Sequence, residues 1–206
     1  MPSKPAKSTQ ATAASGPPVF QIKITLKGSK PPIWRRLLLP GDIPLDCLHH
    51  VIQAAMGWYC CHLHQFMTGT GPTTRYFGEQ TPDFSDFNDL EIEDEREFSL
   101  AGLAPAARKK LRYEYDYGDG WLHEILVEKL LPPDPAMRHP VCTAGENACP
   151  PEDCGGIYGY YDLLAAVKDP KHPEHKERLE WLGGSFDPER FELDAVNMTL
   201  KQRITC

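Results

Sequence analysis

Hydrophobic and polar residues alternate near the start of the chain in the way that is typical of a β-strand. Residues 19–27 place apolar side chains at every second position from Phe20 to Leu26, with polar residues between them. This period of two predicts a strand with one buried face. A turn at residues 28–32 and a second apolar run at 33–39 follow. The opening of the chain is therefore predicted to be an antiparallel hairpin.

The next segment has the spacing of a helix. Residues 44–56 place their apolar side chains on one stripe, and proline at 44 and glycine at 57 suit a helix start and a helix end. The opposite stripe carries polar residues, namely Asp46, His49, His50 and Gln53. We therefore expect a helix that turns its histidines away from the core.

Later segments continue with strands and then with helices. A strand is predicted within 58–68 after a turn, and two short strands are predicted at 75–77 and 89–92 in an acidic segment. Two further strands are predicted at 111–117 and 121–130, joined by the hairpin turn 118–120. Helices are predicted at 160–167, 173–182 and 194–202. Strands early and helices late favour an α+β fold with a mixed or antiparallel sheet. Its strand-strand-helix opening is β-grasp-like, and a helical region ends the chain.

Length, composition and net charge limit the classes of protein to which this chain could belong. The chain has 206 residues, enough for one domain at 19–206 behind a polar, proline-rich tail at 1–18 that we expect to be disordered. It contains no long apolar run, so we expect no membrane partner, and it shows no signal-peptide pattern, so we expect a cytoplasmic protein. The net charge of -7 disfavours a nucleic-acid partner without excluding a local basic patch.

The segment 139–160 concentrates thiols, carboxylates and glycines. Cys142, Cys149 and Cys154 make zinc a candidate cofactor, because thiolates are ligands of structural zinc sites. Their spacing differs from the two-residue zinc knuckle, and a fourth ligand would have to come from elsewhere. Buried free thiols are the alternative interpretation, and seven cysteines without a secretion signal favour reduced thiols over a disulfide framework.

Further polar residues in three separate segments form a candidate polar site. His62 and His64 are two residues apart on a predicted strand and would share one face. Asp116, Asp119 and His123 surround a predicted hairpin tip, where a histidine beside carboxylates is able to act as a general base. Glu152 and Asp153 would bind a cation or cap the following helix. Each of these residues also has a purely structural interpretation.

Common catalytic and nucleotide-binding motifs are absent. The sequence has no phosphate loop, dinucleotide fingerprint, nucleophile elbow or zinc-protease helix. Basic residues at 27–36 surround Trp34, and a second basic run covers 108–112. Such strips are able to contact nucleic acid, although a solvated strand face also explains them.

Five separated motifs resemble the plasmid pRiA4b ORF-3-like family, in the family's order. They are FQIKITLKGSKPPIWRRLLLP, AAMGWYCCHLHQF, YEYDYGDGWLHEI, CTAGENACPPEDCGGIYGY and DPKHPEHKERLEWLGGSFDPERFELDAVN. The resemblance covers roughly residues 19–202 and implies an α+β domain. The resemblance implies little about activity. Some relatives carry mobile-element or resolvase names, but residues 1–40 of this chain contain no serine-recombinase pattern.

These observations support one working hypothesis and leave two alternatives open. We expect a binding or interaction module in which the candidate polar site and the 142–156 loop line one face. The first alternative is a metal-dependent hydrolase or nuclease-like enzyme, whose histidines and acids would hold an ion that activates water. The second is a nucleic-acid-binding accessory protein of mobile elements.

Overall fold

The computed structural model describes residues 16–80 and 91–204, which form an eight-stranded mixed sheet and five α-helices. The strands are β1 (Val19–Leu26), β2 (Trp34–Pro40), β3 (His64–Thr68), β4 (Arg75–Gly78), β5 (Ile92–Asp94), β6 (Lys110–Tyr115), β7 (Trp121–Leu131) and β8 (Val141–Glu146). The helices are α1 (Leu45–Met56), α2 (Leu100–Leu103), α3 (Gly156–Lys168), α4 (His175–Trp181) and α5 (Leu193–Arg203). The strand order is β5-β4-β3-β6-β7-β1-β2-β8, and only β4 and β5 pair in parallel within the described ranges. The α+β class is therefore confirmed.

The predicted hairpins are present. β1 pairs antiparallel with β2, and β6 pairs antiparallel with β7 across the turn at 116–120. Helix α1 begins directly after Pro44 and ends just before Gly57, whose left-handed φ of 96° suits a residue without a side chain. The β-grasp comparison for this opening remains a prediction.

Three details differ from the sequence prediction. The start of the Cys-rich segment is an edge strand, β8, which pairs with β2. His62 precedes β3, so it does not share a strand face with His64. His49 and Gln53 on α1 are 5% and 0% exposed and are therefore core residues. Residues 1–15 of the predicted tail, and residues 89–90 of the strand predicted at 89–92, lie outside the described residues.

The core lies on one face of the sheet. It joins alternate residues of β1, such as Ile22 and Ile24, to Leu48 and Ile52 of α1. Helix α5 contacts both α1 and β8. The other face of the central strands is polar, as shown by Gln21 and Arg36, which both bind the Glu128 carboxylate. In the parts of the chain that the structure describes, no helix has the length and apolar character needed to cross a membrane.

Candidate functional site

Three chain segments meet beyond the end of α1, and we call this place the loop junction. They are the link 57–63 before β3, the turn 116–120 between β6 and β7, and the loop 147–155 before α3. The Tyr59 N–H donates to Glu152 Oε2 at 3.2 Å, and the Gly155 N–H donates to Asp119 Oδ2 at 3.2 Å. These contacts bring together residues that are far apart in the sequence.

The predicted residues His62, Asp116 and Asp153 form the centre of the loop junction. His62 Nε2 lies 3.1 Å from Asp153 Oδ1 and 3.8 Å from Asp116 Oδ2. One ligand atom from each residue falls within 4.8 Å of the other two. Although Nε2 is buried, it makes no contact of hydrogen-bond geometry with any described residue. The imidazole nitrogen therefore lies within ion-pair distance of both carboxylates, although neither contact has the geometry of a hydrogen bond.

A second group shares His62 with the first. Cys61, His62 and Glu152 also place their ligand atoms within 4.8 Å of one another. The Tyr115 hydroxyl donates to Glu152 Oε1 at 2.5 Å, and the Cys61 thiol lies 3.6 Å from the same oxygen. Burial and this carboxylate both raise the pKa of Tyr115, so the phenol keeps the proton that it donates. Tyr115 thus holds Glu152 in place.

Left-handed backbone conformations allow the segments of the loop junction to approach each other closely. Asp116 and Asp153 have left-handed φ angles of 58° and 59°, which Asp tolerates better than most residues. Gly156 has a φ of 67° and lies so close to the Asp119 carbonyl that an added Cβ would overlap it. The turn 116–120 and the loop before α3 therefore approach each other as closely as backbones allow.

The remaining predicted histidines lie in the core. His123 is 0% exposed, and its Nδ1 bonds the Trp121 carbonyl at 2.9 Å. Burial lowers the pKa of His123 to about 4, so it stays neutral near pH 7. His64 Nε2 lies 2.8 Å from Glu95 Oε2, and both side chains are almost fully buried. Neither histidine belongs to the groups at the loop junction.

A buried histidine stack joins the candidate residue His64 to His49, which the sequence predicts to face away from the core. The rings of His49 and His64 are nearly parallel, with centroids 3.5 Å apart. His49 Nδ1 lies 2.7 Å from the Tyr113 hydroxyl, which also accepts the Gln53 side-chain N–H at 3.0 Å. Burial lowers the pKa of His49 to about 2. Polar partners on β6 thus explain why polar residues of α1 face inward.

The cysteines of the 142–156 segment do not converge. The groups of three potential metal ligands in the described residues contain none of Cys142, Cys149 and Cys154. These thiols are free, and burial raises the pKa of each, to about 12 for Cys154. Their placement therefore resembles that of packed thiols more than that of zinc ligands. Cys47 is disulfide-bonded, whereas the sequence favours reduced thiols over a disulfide framework.

Another donor group involves the Cys60–Cys61 pair. Cys60 Sγ lies 3.7 Å from His50 Nδ1, and the two residues form a further group of potential ligands with His49. Cys60 and Cys61 are exposed, and desolvation raises the pKa of both thiols. The sequence signal for this group was the run Cys60-Cys61-His62 next to a histidine-bearing helix.

An open cleft borders the loop junction, and we call it the Trp181 cleft. It has a volume of about 580 Å³. Its lining includes Trp58, Tyr59, Cys61, Glu152, Asp153 and Trp181. Tyr59 and Trp181 are 72% and 48% exposed, so the cleft presents two aromatic rings beside these carboxylates. A depression of similar size on the polar sheet face is formed around Arg36 and Glu128, which already bind each other.

The basic residues near Trp34 have mainly structural roles. Arg35 is 3% exposed and donates to backbone carbonyls, and Arg36 forms a salt bridge with Glu128 at 2.6 Å. Lys23 lies over the Trp34 ring at 4.3 Å. Lys27 and Lys30 of the same hairpin are exposed and form no salt bridge with a described residue, so they are the cations that it leaves unpaired.

Comparisons with known proteins place these observations in a family. The family model described as plasmid pRiA4b ORF-3-like protein matches residues 18–195. The uncharacterized protein y4hQ of Sinorhizobium fredii (strain NBRC 101917 / NGR234) is 38% identical over 167 residues, which cover 81% of this chain and 82% of that protein. The crystal structure of MM3350, a protein of unknown function from Methanosarcina mazei Go1, is similar with a TM-score of 0.76 and 32% identity. The match covers 88% of this chain and 97% of that one.

Proposed function

The chain belongs to the plasmid pRiA4b ORF-3-like protein family, and we propose that it is a cytoplasmic binding module whose ligand occupies the Trp181 cleft. The observation that carries this proposal is the cleft itself, where exposed aromatic rings lie beside the carboxylates of the loop junction. Binding sites for small molecules combine apolar walls with a few placed polar groups. The Trp181 cleft has this composition.

The lining also indicates the kind of ligand. Glu152 and Asp153 border the cleft, and no lysine or arginine belongs to its described lining. The protein as a whole carries a net charge of -7, so its field attracts cations. Aromatic rings add cation–π attraction to apolar contact. A ligand with a positively charged group next to an apolar one fits this cleft best.

Fluorescence titration with a fixed panel of aromatic and aliphatic amines, and of carboxylates of the same size, tests the proposal. We expect saturable binding of at least one aromatic amine and none of its matched carboxylate. Trp181→Ala should weaken that binding at least tenfold, which corresponds to about 1.4 kcal/mol. Tyr158→Ala is the control, because Tyr158 is an 84% exposed aromatic residue of α3 outside the cleft lining.

Two results would contradict the cleft as the binding site. One is the absence of saturable binding across the whole panel. The other is equal loss of affinity in Trp181→Ala and Tyr158→Ala, since the control changes the surface aromatic content without touching the cleft.

A metal-dependent hydrolase is the second candidate. The observation that favours it is that Cys61, Glu152 and Asp153, which belong to the ligand groups, also line the cleft. An ion held there would be next to a bound substrate and would be able to activate water. Assay of bis(p-nitrophenyl) phosphate with added Zn²⁺ or Mn²⁺ tests this candidate. Turnover that disappears in Asp116→Asn would support it, and a rate equal to that of the free ion would exclude it for phosphodiesters.

A further inference from the structure

We infer that the loop junction is a zinc-binding site in which His62, Asp116 and Asp153 supply the protein ligands. The three potential ligand atoms lie within 4.8 Å of one another, and each comes from a different segment. Imidazole nitrogen and carboxylate oxygen are both established ligands of Zn²⁺. The inference is independent of ligand binding in the Trp181 cleft, because an ion bound at the junction does not require an organic ligand.

The surroundings of His62 Nε2 are consistent with a bound ion. This nitrogen is buried, and it faces two carboxylates without hydrogen-bond geometry to either. The His62 side chain is 29% exposed, and its Nε2 meets the Asp153 carboxylate at ion-pair distance without the geometry of a hydrogen bond, which a cation shared between them would explain. A cation placed between the nitrogen and the two oxygens would satisfy all three groups at once.

The charge balance supports the same conclusion. Asp116 is 8% exposed, and neither Asp116 nor Asp153 forms a salt bridge with a lysine or arginine in the described ranges. The Asp116 Oδ1 atom accepts the Gly118 N–H at 2.9 Å, which leaves Oδ2 facing His62. Two carboxylates brought close together repel each other unless a positive charge lies between them. A divalent ion would provide that charge.

A second group of potential ligands lies next to the proposed site. Cys61 and Glu152 form the second group with His62, and Tyr115 holds the Glu152 carboxylate. Three protein ligands leave a fourth position of tetrahedral zinc open, as in catalytic zinc sites. The imidazole nitrogen distinguishes this site from a magnesium site, which prefers oxygen ligands and retains its waters.

Titration of the chelator-treated full chain with ZnCl₂ tests the inference. We expect one strong site at the loop junction, which thermal-shift measurements also detect because binding to the folded state raises its stability. His62→Gln and Asp153→Asn should each weaken that binding at least tenfold. Asp153 has a 67% exposed side chain, and asparagine also tolerates its backbone angle, so this variant keeps the fold.

His50→Gln is the matched control. His50 belongs to the separate group with His49 and Cys60, which also offers nitrogen and sulfur donors. Zinc affinity unchanged in His50→Gln and lost in His62→Gln would support the loop junction. The reverse pattern would assign the metal to the other group and overturn the inference. So would the absence of Zn²⁺ binding, or binding of Mg²⁺ as tight as that of Zn²⁺.

Discussion

The buried imidazoles make the stability of this protein depend on pH. His123 and His49 have pKa values lowered by burial to about 4 and about 2, whereas a histidine in an unfolded chain titrates near pH 6.5. As the pH falls below about 6.5, the unfolded chain therefore binds protons that the folded protein does not. The stabilising contribution is complete above that pH and is lost as the pH falls towards each folded pKa.

We expect the free energy of unfolding to fall by about 2 kcal/mol for each of these two histidines between pH 7.5 and pH 5. Urea unfolding at a series of pH values measures this loss. His123→Leu should reduce the pH-dependent loss by about half, whatever it does to stability at pH 7.5. His172→Gln changes a histidine outside the buried core and should keep the wild-type dependence. Equal pH dependence in all three proteins would mean that His123 does not titrate as described.

At α1, residue polarity alone predicts the wrong side of the helix for His49 and Gln53. His49 and Gln53 were assigned to an exposed stripe because helical periodicity distinguishes polar from apolar residues only. The structure buries both and gives them a shared partner, the Tyr113 hydroxyl. That partner lies on β6, so the helix sequence contains no sign of it. By contrast, the position of His123 on an apolar strand face was predictable from alternation within β7 alone.

At the scale of elements, the approach of the turn 116–120 to the start of α3 determines the shape of the loop junction. Gly156 and Gly120 have almost the same φ, 67° and 66°. An added Cβ at Gly156 would overlap the Asp119 carbonyl, whereas one at Gly120 would meet nothing within 4 Å. The two glycines therefore separate the cost of a left-handed backbone from the cost of a steric clash.

Gly120→Ala should cost about 1–2 kcal/mol, the typical cost of a left-handed conformation for a residue with a Cβ. Gly156→Ala should cost at least about twice as much, because it adds displacement of the backbone at Asp119 to the same strain. Urea unfolding of both variants measures the difference. If the two costs are equal, the close contact between the turn and α3 contributes nothing.

The regular elements were largely predictable from sequence, and the assembly of the site was predictable only in part. Alternation and turn residues correctly indicated β1, β2, β6 and β7. β8 was not predicted because its cysteine and glycine residues are not typical of a strand. Its strand conformation comes from pairing with β2. The sequence grouped His64 and His123 with the acids, but residue types do not reveal which loops touch. Contacts such as that of Asp119 with Gly155 decide this, and they join distant parts of the chain.

At the scale of the whole molecule, the buried guanidinium of Arg35 contacts several elements at once. Arg35 on β2 donates its Nε–H to the Ala55 carbonyl near the end of α1 at 3.0 Å. Its Nη groups bind the Glu146 and Asn147 carbonyls at 3.0 and 2.9 Å. The guanidinium also lies 4.6 Å from the centre of the Phe191 ring, just before α5. A planar group with five N–H donors suits such a position, and an ammonium does not.

Arg35→Met should therefore destabilise the protein by about 3 kcal/mol or more, because it leaves one buried and several part-buried carbonyls without this donor. Arg35→Lys should recover only part of this loss, since a single ammonium cannot reach all the carbonyls that the guanidinium binds. Arg36→Met is the control from the next position on β2. Its salt bridge with Glu128 is more exposed and should be worth about 1 kcal/mol or less. Chemical unfolding of the three variants gives the comparison, and similar losses in Arg35→Met and Arg36→Met would show that Arg35 does not hold the helices and the sheet edge together.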